Sequence, residues 1–320
     1  MTRPLVSVCI LSYNRKSDLA HTLELLQCDP YGQLELLVAD NASVDGTPEL
    51  LHKRFPDVRL FTHPQNIGID ALNTAFGAAQ GEIILVLDDD SWPEPGAITR
   101  AVARFEEKPP LGLLTCDIIE PKSQRRWDMA YLPLHPGHGP QPWHCFVGCG
   151  FFVRTALLRA MGGYPEDFFL YANEAPVAAE VLLRGYDIEF LPEVRVFHKM
   201  PSRQSGFSQN HVFYGLRNDL QTAWRYFHGW RYLDILFGRL VTGFILLASL
   251  GPESRAAYFR ALRELRAYQQ RHTRRPLSKH AMRRGVAAFH GTTLTTLVSY
   301  RTLRRVLWYR GFYKDGRVVS

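Results

Sequence analysis

Three polar clusters, each after an apolar run of strand length, contain the side chains that could do chemistry. They are Ser12-Tyr13-Asn14-Arg15, Asp40-Asn41-Ala42-Ser43 and Asp88-Asp89-Asp90. Because alternate residues of an extended chain project to the same side, Asp88 and Asp90 present two carboxylates together. Such a pair suits Mg²⁺ or Mn²⁺, which binds one or two carboxylates along with substrate phosphates. The alternative is a solvated acidic turn, with one aspartate capping a helix that begins near Pro95.

The elements around these clusters must bring them to one place, and their pattern is that of a parallel sheet. Apolar runs predict strands at Leu5–Leu11, Leu34–Ala39, Val58–Phe61 and Ile83–Leu87. Helices are predicted between them at Ser17–Gln27, Thr47–Arg54 and Ala71–Ala79, the last with Gly81 as its cap. Strands that are apolar on both faces indicate an α/β fold with a mostly parallel, Rossmann-like central sheet flanked by helices. In such a sheet ligands bind at the carboxyl ends of the strands, where all three clusters lie.

The second half of the chain is less regular. Strands are predicted at Leu111–Thr115, Cys145–Val153 and Asp187–Leu191, and helices at Ala175–Arg184 and His211–Phe227. The stretch Leu132–Trp143, rich in Pro, Gly and His, is predicted to be a loop. Leu233–Leu250 is mostly apolar but contains two charged residues, so it is marginal as a membrane span. A basic amphipathic helix is predicted after Gly251-Pro252, as part of a helical appendage that lies on a membrane or packs on the body.

Composition bounds the class of protein and its partners. The 320 residues have a normal globular balance, which excludes a wholly disordered chain. The five cysteines form no disulfide framework, and we expect Cys145 and Cys149 to be buried strand thiols rather than metal ligands. With no secretory signal pattern, a cytoplasmic setting is expected. Residues 251–320 contain 16 Lys and Arg against 3 Asp and Glu. This basic tail favours an anionic membrane surface, and the lack of a recognisable nucleic-acid module argues against nucleic acid.

The order of the motifs resembles that of family 2 glycosyltransferases, which are inverting enzymes of the GT-A fold. Besides the three clusters, the resemblance rests on Asp45-Gly46-Thr47, Asn66-Ile67-Gly68 with Asn73, Gly148-Cys149-Gly150, Gly162-Gly163-Tyr164-Pro165-Glu166, Phe168-Phe169-Leu170-Tyr171 with Asn173-Glu174, Leu191-Pro192-Glu193, Phe197-His198-Lys199 and Arg217-Asn218. We therefore expect a GT-A domain at 1–228, with a nucleotide-sugar half at 1–110 and an acceptor half at 111–228. The region 229–320 would be the helical appendage.

The resemblance implies roles for individual residues. Asp88 and Asp90 look like the pair that binds a cation bridging the diphosphate of a nucleotide sugar, and His198 resembles a histidine that reaches the metal or the leaving diphosphate. Asp40 is similar to an aspartate that accepts a hydrogen bond from the nucleotide base, and Tyr13 lies where a side chain can flank that base. The other residues expected at the donor site are Ser12, Asn14, Arg15, Asn41, Asn66, Gly68, Asn73, Asp89 and Arg217.

The catalytic base is where this sequence departs from the family. Its members often carry a Glu-Asp pair whose Asp removes the acceptor proton, whereas this segment reads Tyr171-Ala172-Asn173-Glu174-Ala175-Pro176. Glu174 either replaces that aspartate or matches the preceding glutamate, and in the second case Ala175 stands where the base should be. We predict Glu174 as the base, because its longer side chain can still reach an acceptor oxygen. Glu180, further along, is expected to form a structural salt bridge.

The resemblance thus implies an inverting, metal-dependent enzyme that moves one hexosyl or deoxyhexosyl group from a nucleotide-diphosphate sugar to a glycan or lipid-linked acceptor. The basic tail suggests a peripheral position at the inner face of the cell membrane, in the assembly of a cell-surface polysaccharide or glycolipid. The altered base segment supports an alternative. In it, the chain is a catalytically inactive subunit of the same fold that binds a nucleotide sugar or a carbohydrate.

Overall fold

A computed structural model of the protein describes residues 3–126, 137–199, 209–247 and 251–285, together with two short strands near the C-terminus. The chain divides into two compact units. The first comprises Met1–Phe169 and Glu180–Met200, and the second comprises Leu170–Ala179 and Pro201–Ser320. This division follows packing. The predicted boundary at residue 228 separates the expected GT-A domain from the helical appendage, and it stays a prediction.

Strands and helices alternate through the first 107 residues, and helices dominate the C-terminal part. The strands are β1 Val6–Ser12, β2 Leu34–Asp40, β3 Arg59–Thr62, β4 Ile83–Asp88, β5 Ser91–Pro93, β6 Leu111–Ile119, β7 Gln141–Trp143, β8 Gly150–Arg154, β9 Asp187–His198, β10 Tyr313–Lys314 and β11 Arg317–Val318. The helices are α1 Lys16–Gln27, α2 Thr47–Arg54, α3 Ala71–Ala78, α4 Ala97–Glu107, α5 Thr155–Met161, α6 Glu174–Leu183, α7 Gln209–Tyr226, α8 Gly229–Leu247, α9 Pro252–Arg271 and α10 Lys279–Gly285.

The first unit is built on one sheet with the strand order β3-β2-β1-β4-β8-β6-β9-β5, and β7 pairs with β9. Parallel pairing is confined to β3-β2-β1-β4 and to β6 with β9, and β8 runs antiparallel to both of its neighbours. The sheet is therefore mixed. The predicted α/β fold with a central sheet is confirmed, and so is a helical C-terminal part.

Apolar runs bury the middle strands on both faces. Every residue of β6 is buried, and so are the first five residues of both β1 and β4. Helix α4 contributes a stripe at helical spacing, with Ile98, Ala101 and Phe105 packed into the same core. Burial of each large apolar side chain contributes about 1.5–3 kcal/mol, so this core holds the carboxyl ends of the strands at fixed positions.

Three local predictions are wrong, each because of tertiary structure. The predicted strand Cys145–Val153 begins only at Gly150, whose N–H donates to Val147 O in a turn (3.1 Å). Gly81 does not cap α3, which ends at Ala78. Instead, a Cβ atom at Gly81 would lie 2.6 Å from Leu5 O, so glycine allows the chain to pass close to β1. The predicted loop Leu132–Trp143 contains β7, while its residues 132–136 lie outside the described part of the chain.

Strand β9 is more than twice as long as predicted and contains a bulge. It pairs with β6 up to Leu191 and again from Arg195, while β6 advances by a single residue. Pro192 lies in this gap, where its missing N–H leaves no ladder hydrogen bond unmade. The continuation of β9 beyond the bulge carries the strand to His198.

The second unit packs its helices through small and aromatic residues. Phe213 of α7 forms an apolar cluster with Ala257 and Ala261 of α9. Asp219 of α7 is buried in an ion pair with Arg239 of α8, and burial raises the pKa of this aspartate to about 6. No helix among the described residues has both the length and the apolar character needed to cross a membrane.

A buried ion-pair cluster on β9 generates a stability prediction. Glu189 accepts hydrogen bonds from Arg104 Nε and Lys108 Nζ, both at 2.8 Å. Burial alone would raise the pKa of Glu189, but these two cations hold it below its usual value. The stabilisation is therefore present at neutral pH and is lost as the pH falls through the lowered pKa. Glu189→Gln should reduce the free energy of unfolding by about 1.5–3 kcal/mol at pH 7, and by less at acidic pH.

Urea denaturation at neutral and acidic pH measures this difference. Glu107→Gln is the matched control, because Glu107 also pairs with Arg104 (3.2 Å) but is largely exposed. It should cost little, as surface ion pairs do. Equal losses in the two variants would contradict the buried role of Glu189.

Candidate functional site

The loops after β1 and β2 are tied together at the carboxyl edge of the sheet. Ser12 and Asp40 end the two parallel strands and lie side by side in the register. The N–H of Asn14 donates to Ser43 Oγ (2.9 Å), and the N–H of Val44 donates to Asn14 Oδ1 (2.8 Å). Asn14 makes both bonds from a left-handed backbone conformation (φ 54°) that asparagine tolerates better than most residues. The first two polar clusters therefore form one structure.

Asp40 has hydrogen-bonding capacity to spare. Its side chain is buried, and its Oδ2 accepts the N–H of Ser43 (3.1 Å). Its Oδ1 and the neighbouring Ser12 Oγ are buried without a hydrogen-bond partner among the described residues. Since a buried polar atom without a partner costs free energy, Asp40 Oδ1 is suited to an N–H donor such as that of a nucleotide base. Next to Asp40 and Ser12, Tyr13 is 46% exposed, as a residue that flanks a ligand must be.

The acidic cluster at the end of β4 is anchored to the first loop. Asp89 Oδ2 accepts the N–H of Tyr13 (3.2 Å), and the Thr22 hydroxyl donates to Asp89 O (2.9 Å). Burial and the charge of Asp88 raise the pKa of Asp89 to about 8. The alternative of a helix cap is excluded, because α4 begins after Gly96 and has no side-chain cap.

Arg15 and His198 supply positive charge to this cluster. Arg15 forms an ion pair with Asp90 and lies 3.7 Å from Asp89 Oδ1. His198 Nε2 lies 2.9 Å from Asp90 Oδ1 and 3.6 Å from Asp88 Oδ2. Burial would lower the pKa of His198, but Cys149, Asp90 and Asp88 raise it to about 11. Burial would likewise raise the pKa of Asp90, whereas His198 and Arg15 hold it below its usual value.

Strand pairing explains how a histidine so distant in sequence reaches the aspartates. Strand β5 follows the acidic cluster directly and runs antiparallel to β9, with Ser91 opposite His198. The structure thus brings Asp88, Asp90 and His198 together. The resemblance pointed to His198. The strand pairing that brings it to the aspartates could not be predicted, because β5 is too short for its residues to indicate a strand.

Cys149 is the site residue that sequence reasoning missed. Because β8 is antiparallel to β4 and Gly150 pairs with Leu87, Cys149 comes next to the end of β4, at Asp88. The ligand atoms of Asp88, Cys149 and His198 all lie within 4.8 Å of one another. The expected burial of Cys149 is correct, but it lies outside a strand and beside charged groups. Only the register of β8 against β4 could have revealed this.

The side chains of Asp88, Cys149 and His198 are compatible with a divalent cation as their ligand partner. A carboxylate, an imidazole and a thiol are side chains that divalent transition metals accept as ligands. Asp90 is adjacent, but both of its oxygens face positive groups, His198 and Arg15. The residues present therefore fit a divalent transition metal ion, of which Mn²⁺ is the predicted example.

A second hydrogen-bond network shapes the loop that precedes α3. Asn41 Nδ2 donates to Asn66 Oδ1 (2.8 Å) and Gly68 O (3.0 Å), while Asn41 Oδ1 accepts the N–H of Ile67 (2.8 Å). Gly68 has a left-handed backbone, and a Cβ atom there would lie 2.0 Å from Phe169 O. Asn73 bridges Asp70 and the backbone of Tyr164 at 2.6–2.8 Å. These residues build the loop, and their predicted contact with the donor stays a prediction.

Two predicted site residues, Glu174 and Arg217, belong to the second unit. Glu174 is half-buried at the start of α6, after two residues, Tyr171 and Ala172, with left-handed backbone (φ 62° and 51°). Asn218 holds this strained turn by donating to Leu170 O (3.1 Å) and Tyr171 O (2.7 Å).

Arg217 is surrounded by partners of its own unit. It lies over the rings of Phe213 and Tyr214 and 3.4 Å from Glu264. Further along the chain, Glu180 forms the expected structural ion pair with Arg184.

Comparison with known proteins indicates one family. Residues 7–162 match the family described as glycosyl transferase family 2. The chain is similar to an N-acetylglucosaminyl-diphospho-decaprenol L-rhamnosyltransferase of Mycobacterium tuberculosis, with 24% identity over 231 residues that cover 60% of this chain and 75% of the relative.

Two solved structures share the fold. One is the mannosyltransferase PcManGT from Pyrobaculum calidifontis in complex with GDP-Man and Mn²⁺, with a TM-score of 0.57, 22% identity and coverage of 90% of this chain and 86% of that one. The other is the segment 1–349 of S. aureus TarS in complex with UDP-GlcNAc, with a TM-score of 0.62, 16% identity and coverage of 98% of this chain and 95% of that segment.

The geometry generates a metal-binding prediction. Asp88→Asn should weaken Mn²⁺ binding by about tenfold or more, because loss even of a residue outside the ligand shell costs about that much. Electron paramagnetic resonance of free Mn²⁺ in a titration measures the affinity. Asp57→Asn removes an exposed carboxylate from the loop before β3 and should leave the affinity unchanged. Equal affinity in wild type and Asp88→Asn would remove Asp88 from the site.

Proposed function

Because the chain belongs to glycosyltransferase family 2, we propose that it transfers one sugar from a nucleotide-diphosphate sugar to an acceptor hydroxyl, with inversion and with a divalent cation. The sugar would be a hexosyl or deoxyhexosyl group. The observation that carries the proposal is the meeting of Asp40, the aspartates 88–90 and His198 at the carboxyl edge of one sheet. There, one unpaired carboxylate oxygen and one candidate metal-binding group lie at the carboxyl ends of β2 and β4, the two strands that flank β1.

The donor would bind along this edge. Asp40 Oδ1 would accept an N–H of the base, and Tyr13 would flank the ring. Asp88 and His198 would hold a divalent cation, which neutralises charge on the leaving diphosphate when bound. Asp90 keeps His198 and Arg15 in place through contacts with both. Arg217 is proposed as a further cation for the diphosphate. PcManGT and TarS were solved with GDP-Man and UDP-GlcNAc, which supports a nucleotide sugar as donor.

Glu174 would take the acceptor proton as the oxygen attacks an oxocarbenium-like anomeric carbon. Glu174 is the first residue of α6, so the start of the helix sets its backbone position. Ala175, the alternative position for the base, is buried and carries no acidic group. The turn held by Asn218 fixes the backbone just before Glu174, so the base has a defined position within its unit.

A conservative variant tests the base. Glu174→Gln keeps the size of the side chain but cannot accept a proton, so kcat should fall by about 10²–10⁴-fold. Binding of the nucleotide should be unchanged, as measured by thermal shifts with UDP, GDP, dTDP and CDP, each with Mn²⁺. A saturating nucleotide at about 100 times its Kd adds about 2.7 kcal/mol to stability. Glu106→Gln, an exposed change on α4, serves as the control.

The same experiment separates the alternative function. A wild-type chain that binds one nucleotide with Mn²⁺ but transfers no sugar would be an inactive binding subunit, which the altered segment Asn173-Glu174-Ala175 favours. Full activity in Glu174→Gln would instead remove the base assignment and keep the enzyme.

The acceptor is proposed to be lipid-linked, in cell-surface polysaccharide or glycolipid assembly at the inner face of the membrane. The rhamnosyltransferase relative is named for a decaprenol-linked acceptor. In the second unit, Trp230, Leu233, Phe237 and Val241 form an exposed apolar stripe on one face of α8. Exposed arginines, among them Arg255 and Arg263, occur on α9. Apolar and cationic groups together suit an anionic lipid surface.

Vesicle binding tests this surface. We expect the protein to sediment with vesicles containing phosphatidylglycerol, and less so at high salt, since screening weakens the charge attraction. Phe237→Glu puts a charge in the middle of the stripe and should reduce sedimentation. Leu25→Glu is the matched control, because Leu25 is an exposed apolar residue of α1 in the first unit. Equal sedimentation of both variants and wild type would contradict the role of α8.

A further inference from the structure

We propose that Cys149 is a third protein ligand of the divalent cation, beside Asp88 and His198, and that its sulfur makes the site favour softer ions over Mg²⁺. This inference rests on the metal dependence of the proposed function and adds to it the identity of a ligand. It also assigns the chemical character of the ion that the site prefers. The roles of the nucleotide and of Glu174 do not depend on it.

The backbone places the three side chains independently of one another. Asp88 ends β4, and Cys149 follows from the antiparallel pairing of β8 with β4 at Leu87 and Gly150. His198 ends β9 and is set by its pairing with Ser91 of β5. Asp88 and His198 thus end paired strands, and Cys149 directly precedes one, in a sheet with a buried core. Their ligand atoms converge within 4.8 Å of one another.

The surroundings of Cys149 differ from those of the other buried cysteines. Cys9 and Cys116 lie within β1 and β6, inside strands that are paired on both sides, and neither is part of a group of converging metal-ligating side chains among the described residues. Cys149 is 4% exposed, yet it lies beside a carboxylate and an imidazole. A buried thiol used only for packing needs no such neighbours. In the part of the chain that the structure describes, this is the only triplet of potential metal-ligating side chains with converging ligand atoms.

Asp88 and Asp90 were predicted to bind the metal as a pair. In the present proposal, Cys149 takes the place of Asp90 as a metal ligand. Asp90 faces His198 through one oxygen and Arg15 through the other, and it therefore positions both groups. Cys149 offers a sulfur atom close to the ligand atoms of Asp88 and His198. Thiolates favour Zn²⁺ and other soft ions, whereas sets of oxygen ligands favour Mg²⁺. On binding, the Cys149 thiol and the His198 imidazolium would each release a proton to the solvent, and the sulfur and the freed ring nitrogen would bond to the metal.

Cd²⁺ is a direct probe, because a cadmium–thiolate bond absorbs in the ultraviolet. The full chain carries Cys28→Ser in every sample, which removes the exposed thiol. We expect the band in this protein and in its Cys145→Ala derivative, and its loss in the Cys149→Ser derivative. Asp88→Asn should also abolish the band. In the Cys149→Ser derivative, the Mn²⁺ affinity relative to Mg²⁺ should fall by about tenfold or more.

A measurement on the unaltered site covers the case in which Cys149→Ser does not fold. X-ray absorption of the Zn²⁺-loaded Cys28→Ser protein should show sulfur at about 2.3 Å from the metal. Metal binding that depends on Asp88 but shows no sulfur overturns the role of Cys149 and leaves the proposed function intact. A cadmium band that persists in Cys149→Ser also overturns it. Metal binding that is insensitive to Asp88→Asn overturns both this inference and the metal dependence of the proposed function.

Discussion

Three consecutive aspartates at the mouth of a buried strand repel one another, and the rest of the site compensates for that repulsion. Burial strengthens charge interactions because the local dielectric is low, so the cluster needs positive groups close by. Arg15 arrives from the loop after β1, and His198 arrives from the end of β9. Asp89 contributes by accepting the backbone N–H of Tyr13. The order of the strands brings these groups to the same edge of the sheet.

This dependence explains which features could be predicted from sequence. The four parallel strands and their helices were predicted almost to the residue, because continuous apolar runs and helical periodicity are local signals. Thr47–Arg54, for example, matches α2 at both ends. The three aspartates and Asp40 were recognisable because polar residues directly follow those runs. His198 was reached only through the resemblance to a family, since nothing in its local sequence indicates a site.

The features that could not be predicted depend on pairing between distant segments. Strand β5 has three residues and exists because β9 lies beside it. Cys149 belongs to an apolar run that reads as one strand, but the turn before Gly150 interrupts that run and turns the cysteine toward Asp88. Asn41 and Asn73 were expected at the donor site, but the sequence did not predict that their amides form internal bridges. In each case the deciding contact is far away in the chain.

The bulge in β9 limits the insertions and deletions that this sequence can accept. Between Leu191 and Arg195 the strand holds three residues with no counterpart on β6. Because side chains alternate across a strand, losing one of them would shift the downstream register and turn His198 to the other face of the sheet. Pro192 and Glu193 are therefore constrained less in their identity than in their number. The length of this short segment acts as a spacer for the metal site, and an insertion or deletion there would be far more damaging than a substitution.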